Sequence, residues 1–187
     1  IRDGNFRLSE GTLKGRKSQI THIDRPENAG VLSLRADVNE GVFTAHQTAP
    51  DFHDIRGALE LQNRRFRLRG MKGLFGQSPF ALDGSISDFS LPGPVEYTAA
   101  MIVQPAREEV ARLLGKDRFR NFRFSGPSTL NLSGKGTTSD FRVHANWDLT
   151  GASYVFPDVL EKPVSKNNLL TADMMVNQEA LTFSSIR

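Results

Sequence analysis

No cysteine occurs anywhere in the 187 residues. Disulfides, thiolate metal sites and a cysteine nucleophile are excluded with it. Polar-tipped aromatics are nearly missing too, with two Tyr and one Trp against thirteen Phe. Stacking on nucleobases works through rings displayed among basic side chains, and here most Phe residues fall on the apolar parity of their strands. Long hydrophobic runs are absent: nothing approaches the roughly 20 consecutive apolar residues of a membrane-spanning helix. An excess of one charge is also lacking. The 24 Lys+Arg and 21 Asp+Glu leave a formal net charge of +3, too mild to argue for a nucleic-acid partner. No basic segment followed by an apolar stretch opens the chain as a secretory leader would.

What is there describes a folded, β-rich protein. Hydrophobic residues make up 38% and charged residues 24%, enough for one core or for a slice of a longer repetitive sheet. The chain opens in strand-like sequence, Ile1–Leu8, and closes in another such run, Leu181–Arg187. A segment of a larger protein is therefore expected, with any anchor outside it.

Period-2 alternation runs through most of the chain. Ile55, Leu59 and Leu61 alternate with Asp54, Arg56, Glu60 and Gln62; Phe66 and Leu68 alternate with Arg65, Arg67 and Arg69. Phe80, Leu82 and Ile86 alternate with Ala81, Asp83 and Ser85. Phe141, Val143, Ala145, Trp147 and Leu149 alternate with Arg142, His144, Asn146, Asp148 and Thr150. This is the pattern of antiparallel strands wet on one side. Short turns are expected at Asn39–Gly41, Asn63-Arg64, Gly134–Thr138 and Asn177–Glu179, where Gly and Asn supply positive φ. One segment differs. Pro105–Gly115 places Val110, Leu113 and Leu114 on one helical face, with Glu108 and Glu109 early and Gly115 as a stop. The expected fold is mainly β: an elongated, curved antiparallel sheet of meander connectivity, groove-like or closing toward a sandwich, with one short amphipathic helix near 106–114. That helix divides a single segment, 1–187, into coarse sub-units 1–104 and 116–187.

A search for chemistry finds no constellation. Among His22, His46, His53 and His144 no pair has zinc-protease spacing. No nucleophile elbow and no strand–glycine-loop–helix unit occurs. Gly134-Lys-Gly136 lacks the spacing and the following helix of a phosphate loop and reads as a hairpin turn. Asp83, Asp88, Asp140, Asp148 and Asp158 are scattered, whereas a glycosidase needs two facing carboxylates. No catalytic residue, cofactor or metal is expected, and the protein reads as a non-enzyme. Arg65, Arg67 and Arg69, with Arg64 and Arg56 nearby, form the densest basic cluster. They are candidates for contact with anionic headgroups, although such a run is usually a solvated face.

The apolar stripe is harder to dismiss. Many strands share one apolar face, and a single short helix is available to cover it. Left open to water it costs about 25 cal/mol per Å², so either the sheet folds on itself or something apolar fills a trough. The candidate lining is Phe66, Leu68, Phe80, Leu82, Ile86, Phe141, Val143, Trp147 and Leu149.

The segment Trp147-Asp-Leu-Thr-Gly-Ala-Ser-Tyr-Val-Phe-Pro157, then Glu161-Lys-Pro163 and Leu169–Ile186, resembles the AsmA-like family, which includes the TamB-like and YhdP-like proteins of Gram-negative envelopes. Arg56–Leu61, Gly73–Gly84 and the opening Asp3–Leu8 are similar to that family's strand starts and turns. The resemblance implies a periplasmic protein anchored to the inner membrane outside this segment. It implies a curved sheet whose groove carries phospholipid acyl chains between the two membranes, flanked by adjacent segments of the same long chain, with envelope proteins as further partners and no nucleic acid. The competing reading is a non-enzymatic scaffold for outer-membrane assembly, with the apolar face buried against protein.

Overall fold

The computed structural model describes residues 3–44, 50–87, 95–113, 122–156, 160–177 and 181–186. The strands are β1 (Asp3–Leu13), β2 (Leu32–Phe43), β3 (Phe52–Gln62), β4 (Arg65–Phe75), β5 (Ser78–Ser87), β6 (Glu96–Val103), β7 (Arg123–Ser125), β8 (Thr129–Gly136), β9 (Phe141–Asp148), β10 (Ser153–Phe156), β11 (Leu160–Lys162), β12 (Leu169–Val176) and β13 (Leu181–Ile186). Two short helices, α1 (Lys17–Ile20) and α2 (Arg107–Leu113), and a 3-10 turn at Pro26–Asn28 complete the described elements.

Ten strands form one curved antiparallel sheet in the order β1-β2-β3-β4-β5-β6-β8-β9-β12-β13. The first six are a plain meander. After β6 the chain leaves through α2 and builds β7, then returns to the large sheet with β8 and β9. It leaves again for β10 and β11 and returns with β12. The excursions assemble a separate sheet in the order β11-β10-β7. β10 thus pairs with β7 on one side and β11 on the other, and not with the long strands.

Two expected turns prove to be something else. Asn39–Gly41 is not a hairpin: β2 runs through it to Phe43, and Glu40 takes φ 55° in a register shift. Similar irregularities fall at Asp3/Asn5 on β1, at His53–Ala58 on β3, and at Leu68/Met71 on β4. Gly70 sits at the last with φ 55°, a left-handed conformation easy for glycine and costly for other residues. Extra residues bend a strand and raise its twist, and lined up across four neighbours they curve this end of the sheet. Likewise β8 continues through Gly136, so its turn falls at 137–140. Asn63-Arg64, by contrast, is the two-residue turn its sequence announces, with φ of 49° and 59°. The predicted helix occupies Arg107–Leu113. Leu114, Gly115, His46, Asp88, Asp158 and most of the Asn177–Glu179 turn lie outside the described residues.

Directly opposed residues in an antiparallel pair project to the same side, so the register fixes the faces. One row reads Leu59–Leu68–Gly84–Ala99–Gly134–Val143–Met174 across seven strands. The next reads Met71–Leu82–Met101–Leu132–Ala145–Ala172–Ile186. A row of the opposite face reads Arg35–Glu60–Arg67–Ser85–Thr98–Lys135–Arg142. One face is apolar from one edge strand to the other. Nine inter-strand steps of about 4.8 Å give it a length of about 43 Å along a flat path.

Two clusters fill part of that face. Val38, Ile55, Met71, Phe80 and Val103 are buried together, with Phe52, Phe75, Leu68, Leu82 and Leu130 against them. The ring of Phe52 lies 5.3 Å from that of Phe80, edge to face, and 4.7 Å from that of Phe75. The second cluster joins α2 to the small sheet: Val110, Phe122, Phe124, Leu149 and Ala152 are buried, with Trp147 and Tyr154 packed on them.

Candidate lipid-binding face

Toward the strand ends away from both filled clusters, the apolar face opens into a groove of about 540 Å³. It is lined by Leu68, Leu82, Gly84, Ile86, Tyr97, Ala99, Phe141 and Val176, with Thr137, Thr138 and Asn177 at the rim. These residues come from β4, β5, β6, β9 and β12, so the groove runs across the strands. Its floor is low because Gly84, Ala99 and Gly134 are consecutive partners on β5, β6 and β8. Phe141 lies over Gly134, whose missing side chain leaves room for the ring. Large residues on β4 and β9 thus flank a channel of small ones.

Eight of the nine candidate lining residues share this face by register. Leu68, Leu82, Ile86 and Phe141 line the groove itself. Phe66 pairs with Ile86 one strand outward, and Val143 pairs with Gly134. Phe80 is on the correct face but buried in the first cluster, at 6% exposure. Trp147 is half-buried against the second cluster and donates its Nε1–H to Ser128 Oγ at 3.1 Å. Leu149 lies past the end of β9, buried beneath α2 and the small sheet. It is core, because the alternation that placed it on the stripe ends with the strand. Tyr97, Ala99 and Val176 were missed. Their signal was present in the alternation of Tyr97, Ala99 and Met101 and of Met174 and Val176.

Arg65, Arg67 and Arg69 all project from the opposite face. Arg65 donates to Ser87 Oγ at 3.1 Å. Arg69 Nε lies 3.2 Å from Glu60 Oε2, whose other oxygen takes Arg35 Nη1 at 2.9 Å. The three arginines are separated from the groove by the thickness of the sheet. Exposed pairs of this kind are worth about 0–1 kcal/mol; their main effect is to keep that face wet.

Helix α2 closes the strand ends and leaves the face uncovered. The buried Glu109 carboxylate accepts from Ser78 Oγ at 3.0 Å and from the Gln77 N–H at 3.2 Å, and Ser78 Oγ accepts from the Ala106 N–H at 2.8 Å. This ties the helix to the β4–β5 turn, while Val110 enters the small-sheet cluster.

Two histidines have carboxylate partners. His53 Nδ1 lies 2.9 Å from Asp54 Oδ2, and its Nε2 lies 2.8 Å from the Gly76 carbonyl oxygen. The Asp54 hydrogen bond, then that to the Gly76 carbonyl, raise its pKa above 6.5. Successive residues of a regular strand point to opposite faces; His53 and Asp54 meet because Asp54 sits in the β3 bulge with φ 53°. His144 Nδ1 lies 2.7 Å from Asp173 Oδ1 across β9 and β12, on the polar face. Both pairs are local clamps at exposed positions, away from the groove. Among the described residues no group of three His, Cys, Asp or Glu is placed to hold a metal ion, and no helix is long and apolar enough to cross a membrane.

Comparison of the chain with protein-family models, with curated proteins and with solved structures returns no match in any of the three.

Proposed function

We propose that this protein is a segment of a lipid-holding wall: its apolar face takes the acyl chains of phospholipids, and the groove across β4–β12 is where a chain lies. The observation that carries the reading is the continuous run of apolar partners across all ten strands, which the protein's own clusters cover at one end of the strands only. The hydrocarbon core of a bilayer is about 30 Å thick and holds two layers of chains, so one extended chain reaches about 15 Å. The face is long enough for such chains to follow one another. Its lining is aliphatic and aromatic, and the rim offers the hydroxyls of Thr137 and Thr138. With the resemblance in its strand and turn motifs, this supports a role in moving or storing phospholipid in a Gram-negative envelope, in the periplasm, with adjoining segments of the same kind extending the wall.

The test is direct. The purified chain is mixed with phosphatidylethanolamine–phosphatidylglycerol vesicles, re-isolated, and examined by native mass spectrometry and by solvent extraction. Co-isolated phospholipid near one or more per chain is expected. A lipid-free chain with its apolar face protected against another protein surface overturns the proposal in favour of the scaffold reading.

A further inference from the structure

Strand β4 carries four cations, Arg65, Arg67, Arg69 and Lys72, and no acid. Their surroundings differ. Arg69 is ion-paired with Glu60. Arg67, directly opposite Glu60, is half-buried and forms no ion pair among the described residues. Both oxygens of Glu60 are already taken, by Arg35 at 2.9 Å and by Arg69 at 3.2 Å. The other acids nearby are occupied too: Asp83 Oδ1 accepts from the Gly70 N–H at 2.9 Å, and Glu96 pairs with Lys135 at 3.2 Å. A half-buried guanidinium without a counter-charge is poorly compensated for the water it has lost.

Two cavities meet at Arg67. One, of about 210 Å³, lies at the open strand ends between Asn63, Arg64, Arg65, Arg67 and Ser87. The other, of about 300 Å³, continues between Arg67, Arg69, Asp83, Ser85 and Thr98. Residues two apart on one strand face lie about 7 Å from each other, so Arg65 and Arg67 reach the first cavity as neighbours. Arg64 brings a third guanidinium to it from the second position of the turn, at φ 59°, a place such turns usually give to glycine. Hydroxyls add donors. Ser87 Oγ accepts from Arg65 Nε at 3.1 Å and keeps its own O–H to give. The Ser85 and Thr98 hydroxyls lie 2.8 Å apart and share one hydrogen bond, which leaves one O–H of the two. No carboxylate lines the first cavity among the described residues.

We propose that this arginine pocket on the polar face is a binding site for a phosphate ester, centred on Arg67. A carboxylate is satisfied by one guanidinium fork, whereas a tetrahedral phosphate takes forks from two directions and hydroxyl donors besides. The site lies across the thickness of the sheet from the groove and is independent of what fills it. Two sources offer the same chemistry: a soluble phosphate ester, and the headgroup of an anionic phospholipid at a membrane surface.

Glycerol phosphate is the soluble probe, titrated into the purified chain by calorimetry. Phosphatidylglycerol vesicles are the membrane probe, with phosphatidylcholine vesicles as the net-neutral control. Arg67→Gln is expected to weaken glycerol phosphate binding by about tenfold or more, the loss of one charge-assisted contact, with Arg67→Lys in between; Arg65→Gln serves should Arg67→Gln not fold. Arg123→Gln removes the same charge from β7, away from both cavities, and should bind as the parent does. Vesicle cosedimentation is read in the Ile86→Asp background, where groove uptake is removed. Sedimentation with phosphatidylglycerol that Arg67→Gln abolishes assigns the site to a lipid headgroup, and glycerol phosphate binding without sedimentation assigns it to a soluble ester. A parent that binds neither probe overturns the proposal. So does binding that is unchanged in the folded Arg67→Gln variant, or an equal loss in Arg67→Gln and Arg123→Gln.

Discussion

The buried ammonium of Lys162 donates a 2.8 Å hydrogen bond to the backbone carbonyl of Leu149. The same nitrogen also donates to the carbonyls of Thr150, Ala152 and Pro163. The turn after β9 is thereby wrapped around the end of β11. Asp148 leads into that turn, its carboxyl held below the ordinary range by the Thr150 N–H and then the Thr150 hydroxyl. The Asp-Leu-Thr-Gly stretch and the later Lys-Pro pair are thus two halves of one clasp.

Breaking the clasp should loosen the small sheet. In Lys162→Met the stem still fills its space, but carbonyls turned inward lose their donor, a penalty of about 1–3 kcal/mol. A lower urea midpoint is expected, read through Trp147, which packs against that cluster. An unchanged midpoint would show that water replaces the ammonium at no cost.

Groove and core should separate under mutation. Ile86→Asp and Val143→Asp place a charge on the open part of the face, where water can reach it. Phospholipid co-isolation should fall several-fold while the far-UV spectrum stays that of the parent. Phe80→Ala empties a buried site and should cost about 3–5 kcal/mol of stability. Leu82→Asp should lose both properties, because Leu82 lines the groove and also packs on the Phe80 cluster. Lipid retained by the folded Ile86 and Val143 variants would remove the groove from the proposal.

His53 gives a pH dependence with a definite sign. Both ring nitrogens face acceptors, so the protonated ring satisfies both, and its folded pKa lies above 6.5. The contribution is fully present below about pH 6.5, the ordinary histidine value, and is lost as pH rises through the folded pKa. The parent's denaturant midpoint should decline across that window more than that of His53→Gln. Parallel profiles for the two proteins would show that the clamp carries no net energy.

Ser78 should report on the docking of α2. It is fully buried, donates to Glu109 and accepts from Ala106. In Ser78→Ala both contacts go, and amide exchange in Arg107–Leu113 and β7 should speed up while β3–β5 keep their protection. Faster exchange throughout would mean that the helix and the large sheet unfold as one unit.

Much of this protein was legible in its sequence. Side-chain alternation has a period of two and needs only local geometry, so the apolar stripe, the opposed arginines and the Asn63-Arg64 turn could be read directly. The helix was equally local, marked by Pro105, the early glutamates and Val110. Tertiary structure decided the rest. Whether Asn39–Gly41 turns the chain or merely bulges it depends on partners on both sides, which keep β2 in register with β1 and β3. β10 and β11 carry ordinary strand sequence, and only the position of β7 and the reach of Lys162 assign them to a second sheet. Leu149 has the parity of the stripe, but parity loses its meaning where the strand ends, and the residue goes into the core. The groove itself exists because Gly84, Ala99 and Gly134 become neighbours through pairing across three strands, a relation set by register that no single stretch of the chain contains.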